Sequence, residues 1–190
     1  MNSPSDDPAR VWRGRLILIG LFALFFGTVG AAGMLRFSGW QPQGSKVHGR
    51  MFEPALDARR IVPRLANGGD YAWNPDARTW RIVVAPRPGC GAECVAMARE
   101  LDKVWRLFSH NADRVHILWI GTPPAGAEAM SALRAVADDA GLRALLPGVD
   151  DPTGVPVYVI DPNGFVILRY APGADPGWIR ADVAKLLKLM

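Results

Sequence analysis

Two cysteines, Cys90 and Cys94, are the side chains of this 190-residue chain best suited to covalent or metal chemistry, and the chain has no other cysteine. Three residues separate them, and the pair follows an apolar strand-like run and opens a helix-like run. The N-terminus of a helix offers free N–H groups and a positive dipole end, which favour a thiolate. Two thiols one turn apart can also close a disulfide or bind a soft metal. The spacing therefore leaves three readings open: a redox-active pair, a metal site or a structural disulfide.

The residues around the pair distinguish its two sulfur atoms. A Pro-Gly turn precedes Cys90, so we expect Cys90 to be the more exposed, attacking sulfur and Cys94 the resolving one. Glu93 lies between them, and its charge raises a neighbouring thiol pKa, although Arg87 can offset it. A disulfide that closes so short a loop adds little stability, which weighs against a purely structural role.

An apolar run before these residues predicts a membrane span. Residues 16–35 contain no charged side chain, and about 20 such residues match the thickness of a bilayer core. Three arginines precede the run and Arg36 follows it. We therefore predict a transmembrane helix at 16–36 with residues 1–15 as a cytoplasmic tail. A cleavable signal peptide is the alternative, but its apolar region is usually shorter, about 7–15 residues.

This topology places the rest of the chain in an oxidising compartment such as a bacterial periplasm. We predict a linker at 37–60, rich in Gly, Pro and Gln at its start, and one periplasmic domain at 61–190. The net charge of +4 is compatible with a position near anionic lipid. The basic residues are scattered, which argues against nucleic-acid binding.

Within this domain, hydrophobic periodicity and turn residues predict alternating strands and helices. We predict strands at 79–85, 114–120, 156–160 and 165–170, and helices at 93–108, 125–140 and 176–189. The order is strand, helix, strand, helix, hairpin, helix. It predicts an α/β sandwich with a mixed four-stranded sheet.

This order resembles the thioredoxin fold. Residues 154–160 and the Asn-Gly turn after them resemble the cis-proline loop and hairpin of thioredoxins. The resemblance implies that Pro156 is cis and faces the cysteine pair. A C-x3-C motif on a membrane-anchored thioredoxin fold is similar to the Sco/SenC family, over roughly residues 60–190. That family handles copper for the binuclear copper centre of cytochrome c oxidase. The chain is also similar to the short anchored thioredoxin-like proteins that accompany bacterial oxidase assembly factors.

One ligand of the Sco copper site has no counterpart here. The distal histidine of that family falls near Thr153, and no histidine follows His116. Cys90 and Cys94 remain candidate copper ligands with an unknown third ligand, because Met97 belongs to the apolar stripe of its helix.

The resemblance implies a bacterial inner-membrane protein that assists cytochrome c oxidase biogenesis. The mechanism it favours is thiol–disulfide exchange with catalytic residues Cys90, Cys94 and Pro156, as in a thiol–disulfide oxidoreductase. The partner would be an oxidase subunit or a copper-handling assembly factor. Cu(I) delivery and a non-catalytic docking module remain the alternatives.

Overall fold

The computed structural model describes residues 8–38 and 47–189. The chain divides into two compact units, Met1–Ser45 and Lys46–Met190. The first contains helix α1, Pro8–Phe37, whose segment Trp12–Phe37 is long and apolar enough to cross a membrane. The predicted span at 16–36 is therefore helical, and the helix extends into the predicted tail. The start of that tail and most of the early linker lie outside the described residues.

The second unit is built on one six-stranded mixed sheet with strand order β1-β6-β5-β2-β3-β4. The strands are β1 (Arg50–Asp57), β2 (Trp80–Val84), β3 (Val115–Ile120), β4 (Leu133–Val136), β5 (Val157–Ile160) and β6 (Phe165–Tyr170). The helices are α2 (Ala92–Arg106), α3 (Ala140–Leu145) and α4 (Pro176–Leu187), with short 3-10 helices at Ser109–Arg114 and Ala127–Ala129. Strands β2, β3 and β4 run parallel, and β5, β6 and β1 pair antiparallel.

Both faces of this sheet are covered, because the central strands are apolar on both sides. All five residues of β2 are buried. Its side chains alternate: Ile82 and Val84 pack with α2 and α4, and Val83 packs with α3 on the other face. The mixed α/β sandwich predicted from the sequence is confirmed, with two more strands than expected.

One of these additional strands lies inside the predicted linker at 37–60. β1 pairs antiparallel with β6, Arg50 beside Arg169 and Asp57 beside Phe165, so the folded unit begins well before residue 61. The prediction missed β1 because the strand contains Pro54. A proline is tolerated at the edge of a sheet, where a missing N–H costs no ladder bond.

The predicted helix at 125–140 is wrong. The segment forms a 3-10 turn, then β4, and only then α3. Asp139, which lies inside the predicted helix, instead caps the start of α3 by accepting a hydrogen bond from the Leu142 N–H at 2.7 Å. The Ala-rich composition favours helix, but pairing beside β3 outweighs that local preference.

The turn between β5 and β6 is confirmed and is secured by a buried arginine. Gly164 N–H donates to the Asp161 carbonyl, closing the turn. Arg81, on the otherwise apolar β2, donates to the carbonyls of Asp161 and Pro162 at 2.9 and 3.0 Å. The Nε–H of Arg81 also donates to the Tyr71 hydroxyl oxygen, at 3.2 Å.

A buried carboxylate ties the beginning of the folded unit to its end. Asp182 of α4 is fully buried. Its Oδ2 accepts from the N–H groups of His48 and Gly49 at 2.7 and 3.1 Å and from the Tyr170 hydroxyl at 3.0 Å. The His48 ring nitrogen Nδ1 lies 3.1 Å from Asp182 Oδ1. Burial raises the pKa of Asp182, but the hydrogen bonds with the His48 side chain, the two N–H groups and the Tyr170 hydroxyl together outweigh it and hold the pKa below its ordinary value.

We expect Asp182→Asn to lower the free energy of unfolding by about 2 kcal/mol at pH 7, because charged hydrogen bonds are lost. The pKa of Asp182 is lower in the folded state than its ordinary 3.8. Its contribution is therefore complete well above pH 3.8 and is lost as the pH falls through the folded-state pKa. Denaturant unfolding of the full chain in detergent, followed by tryptophan fluorescence, measures the difference at pH 7 and pH 3. The exposed Asp113→Asn is the control. An equal loss in both variants would contradict the role of Asp182.

Candidate functional site

Cys90 and Cys94 form a disulfide, with their Cα atoms 5.7 Å apart. Cys94 is the third residue of α2 and is only 2 % exposed, whereas Cys90 lies just outside the helix and is half-buried. The predicted order of exposure is therefore confirmed. A partner thiol or disulfide can approach Cys90 much more readily than Cys94.

The disulfide lies at the N-terminus of α2, as the sequence predicted. The helix begins at Ala92, and Gly91 before it has no side chain to cap the first turn. The N–H groups of a first turn have no partner within the helix and carry the positive end of its dipole. Negative charge that develops on sulfur during exchange is favoured at this position.

The Glu93 carboxylate contacts the loop that precedes β5. Its Oε1 accepts a hydrogen bond from the Val155 N–H at 2.8 Å, across 62 residues of chain. Arg87 does not pair with Glu93 but donates to the Pro152 carbonyl at 3.2 Å. The cysteine segment is thus fastened on both sides to the loop that precedes β5.

The loop itself leaves room for the Glu93 carboxylate only because it contains Gly154. This buried glycine has φ +149°, and a Cβ there would collide with Glu93 Oε1. Asp151 holds the other end of the loop, accepting from the N–H and hydroxyl of Thr153 at 3.1 and 2.5 Å. Hydrogen bonds from Thr153, together with Arg169, lower the pKa of Asp151.

Pro156 follows this loop and is buried, but its peptide bond is not the cis bond that the thioredoxin resemblance implied. Across the described residues the one cis bond is Glu53–Pro54. A trans bond is the default for X-Pro, and Val155 is already anchored in this form by Glu93. Val155 packs in the same apolar cluster as Cys94, so the loop does adjoin the pair. Whether Pro156 takes part in exchange stays a prediction.

An open cleft of about 380 Å³ lies beside the disulfide. It forms where β2 and β3 end, the edge at which parallel sheets bind ligands. Both cysteines, Arg87, Asp138 and Arg143 line it. Arg143 is paired with Asp138 and donates to the Pro86 carbonyl at 2.7 Å. A partner chain can therefore reach Cys90 through a polar, basic cleft.

Among the described residues, Cys90 and Cys94 have no third His, Cys, Asp or Glu side chain beside them to complete a three-ligand copper site of the Sco type. In the part of the chain that the structure describes, no three His, Cys, Asp or Glu side chains group together. Met97 packs against the core. Burial, and then the charges of Arg134 and Arg81, lower the pKa of His116 to about 4, and its Nδ1 lies 2.7 Å from the Tyr71 hydroxyl. His116 is therefore a structural histidine.

Sequence reasoning found the cysteine pair but missed three features of the site. Glu93 was interpreted only by its charge, and its hydrogen bond to Val155 could not be foreseen. Asp138 lies inside the wrongly predicted helix at 125–140, and Arg143 lies in α3, which the sequence did not predict. The segment 122–124, which contains two prolines, also lines the cleft. It falls between a predicted strand and a predicted helix, and its residue types do not indicate a role in the site.

We expect Gly154→Ala to reduce the free energy of unfolding by about 2–3 kcal/mol, because the methyl group displaces the Glu93 carboxylate and the backbone is strained. Gly173→Ala is the matched control. Gly173 also has positive φ, +75°, but open space around it, so its cost is about 1 kcal/mol. Denaturant unfolding of the full chain compares the two. Equal costs would show that Glu93 does not depend on the space at Gly154.

Comparisons with solved structures find proteins that are similar to this chain. Copper-bound Sco1 from yeast has a TM-score of 0.51 at 13% identity, over 77% of this chain and 96% of that one. Copper-bound ScoI from Arabidopsis thaliana gives 0.49 at 14% identity, over 75% and 99%. The lipoprotein thioredoxin Etrx1 of Streptococcus pneumoniae gives 0.46 at 13% identity, over 68% and 98%. At such identities the likeness to yeast Sco1 shows the fold alone.

A search of curated protein sequences found no match. A family model described as "Transmembrane-like, thioredoxin-like, C-terminal domain" matches residues 80–190, which is more than half of the chain and includes both cysteines. The chain has the thioredoxin-like fold and belongs to this transmembrane-like, thioredoxin-like family.

Proposed function

We propose that this protein is a membrane-anchored thiol–disulfide exchange protein that works through Cys90 and Cys94. The observation that carries the proposal is the unequal exposure of the two sulfurs at the start of α2, with the accessible one opening into a cleft. A structural disulfide needs neither the cleft nor the helix N-terminus, whereas exchange uses both.

The reaction begins from the reduced pair, which a dithiol donor regenerates. The Cys90 thiolate attacks one sulfur of a partner disulfide, the partner S–S bond breaks, and its other sulfur leaves as a thiolate. Cys94, once deprotonated, attacks the Cys90 sulfur and releases the second partner thiolate. The partner gains two electrons and the Cys90–Cys94 disulfide re-forms.

The setting that we propose is the periplasmic side of a bacterial inner membrane, with α1 as the anchor. The resemblance to the Sco/SenC family points to cytochrome c oxidase biogenesis. Cysteines that are to receive copper in an oxidase subunit must first be reduced. Such a subunit, or a copper-handling assembly factor, is the partner that fits the exchange chemistry.

Cu(I) delivery is the second candidate, favoured by the fold shared with copper-bound yeast Sco1. Two thiolates suit a soft ion, but no third side-chain ligand accompanies them among the described residues. Titration of the reduced full chain with Cu(I) against a competing chelator tests it. Binding no tighter than micromolar removes this candidate, and much tighter binding favours it over exchange.

A docking module that does not use its cysteines is the third candidate. A strain that lacks the gene, complemented with the double variant Cys90→Ser, Cys94→Ser, separates it from exchange. Full recovery of oxidase activity would favour docking. Loss of recovery with unchanged protein level would favour chemistry at the sulfurs.

Single serine variants should show which cysteine attacks and which one resolves the mixed disulfide. Reduced Cys94→Ser should form a lasting mixed disulfide with oxidised glutathione at Cys90. Reduced Cys90→Ser should react at least about ten-fold more slowly, because Cys94 is buried. Intact-mass spectrometry over time gives both rates, and the wild-type chain should return to its internal disulfide. Equal rates in the two variants would contradict the assigned roles.

The reduction potential of the pair provides an independent check. Structural disulfides of secreted proteins lie below about −300 mV, and exchangeable ones lie higher. We expect a value above about −300 mV for the full chain equilibrated with dithiothreitol redox buffers and analysed by thiol alkylation. A lower value would identify a structural bond.

A further inference from the structure

The cleft beside the disulfide contains an arginine that forms no ion pair within the described residues 8–38 and 47–189. Its charged lining residues are Arg87, Asp138 and Arg143. Arg143 and Asp138 form an ion pair, so their charges largely cancel. Arg87 donates only to a neutral carbonyl, that of Pro152, and no carboxylate pairs with it in the part of the chain described.

The acidic residue nearest to Arg87 along the chain does not pair with it. Glu93 Oε1 accepts from the Val155 N–H, and Glu93 is not among the residues that line the cleft. Arg87 is three residues before Cys90, and both residues line the same cleft. A partner segment that brings its sulfur to Cys90 therefore also brings its neighbouring residues to an exposed guanidinium.

We propose that Arg87 makes the cleft select cysteine-containing segments that carry a carboxylate next to the reacting sulfur. This inference rests on the proposed exchange function and names the substrate class of the same site. A guanidinium can bind a carboxylate through two parallel hydrogen bonds, which fixes orientation as well as charge. Opposite charge also accelerates encounter, and added salt weakens this effect.

Two model peptides test the selection directly. Each contains one internal disulfide, and they differ only in a Glu or a Gln beside the reacting cysteine. The full-length protein in neutral detergent is reduced with dithiothreitol and desalted, and its oxidation by each peptide is followed by quenched alkylation and mass spectrometry. Each rate is divided by the rate of that peptide with 2-mercaptoethanol, which removes the intrinsic difference between the peptides.

We expect the Glu peptide to react about three- to five-fold faster at low ionic strength, with the ratio approaching one in about 0.5 M salt. Arg87→Gln should bring the ratio to about one at low salt, and Arg87→Lys should retain part of it. Arg60→Gln is the control, since it removes the same charge from an exposed site outside the cleft. Because both peptides meet the same thiolate, the ratio cancels any effect of a variant on thiol reactivity.

The outcomes separate this inference from the proposed function. Exchange with both peptides at equal corrected rates would overturn the selection while leaving exchange intact. A preference that survives in Arg87→Gln, or that is lost equally in Arg60→Gln, would also overturn it. No oxidation by either peptide would overturn the proposed function and the selection with it.

Discussion

A single hydrogen bond, from the Val155 N–H to the Glu93 carboxylate, determines how the site is assembled. It joins the first turn of the cysteine-bearing helix to a loop 62 residues away. The Glu93 side chain is not among the residues that line the cleft. The arrangement requires Gly154, because any larger residue would occupy the place of the carboxylate. The packing of the cysteine segment against the loop before β5 thus depends on this contact.

Asp182 has the corresponding role for the whole folded unit. Its carboxylate accepts hydrogen bonds from the N–H groups of His48 and Gly49, just before β1, and from the hydroxyl of Tyr170, at the end of β6. Phe52 and Leu56 of this edge strand also pack against the core, in addition to its ladder with β6. Glu93 and Asp182 show the same principle: a carboxylate that accepts a backbone N–H can join segments far apart in sequence. Glu93 joins α2 to the loop before β5, and Asp182 joins α4 to the chain before β1.

Local signals in the sequence were sufficient for elements that local chemistry determines. The Asn-Gly turn after β5, the strand β3 and the helix α4 were all predicted from the sequence. Strand β1 was not, because it contains Pro54 and its partner β6 lies far along the chain. Strand β4 was not, because its Ala-rich segment favours a helix and pairing with β3 outweighs that preference. The contacts of Glu93 and Arg81 were missed because their partners lie 62 and 80 residues away. The trans bond before Pro156 shows that a resemblance in sequence does not determine a backbone isomer.

The burial of Cys94 affects how the protein reacts with small thiols, small disulfides and oxidants. Under the proposed exchange function, a small-molecule adduct forms on the more exposed Cys90, and the buried Cys94 then displaces it. Glutathionylation would therefore be transient, and further oxidation to sulfinic acid would compete with rapid ring closure. The geometry that makes one sulfur available thus also limits its irreversible damage.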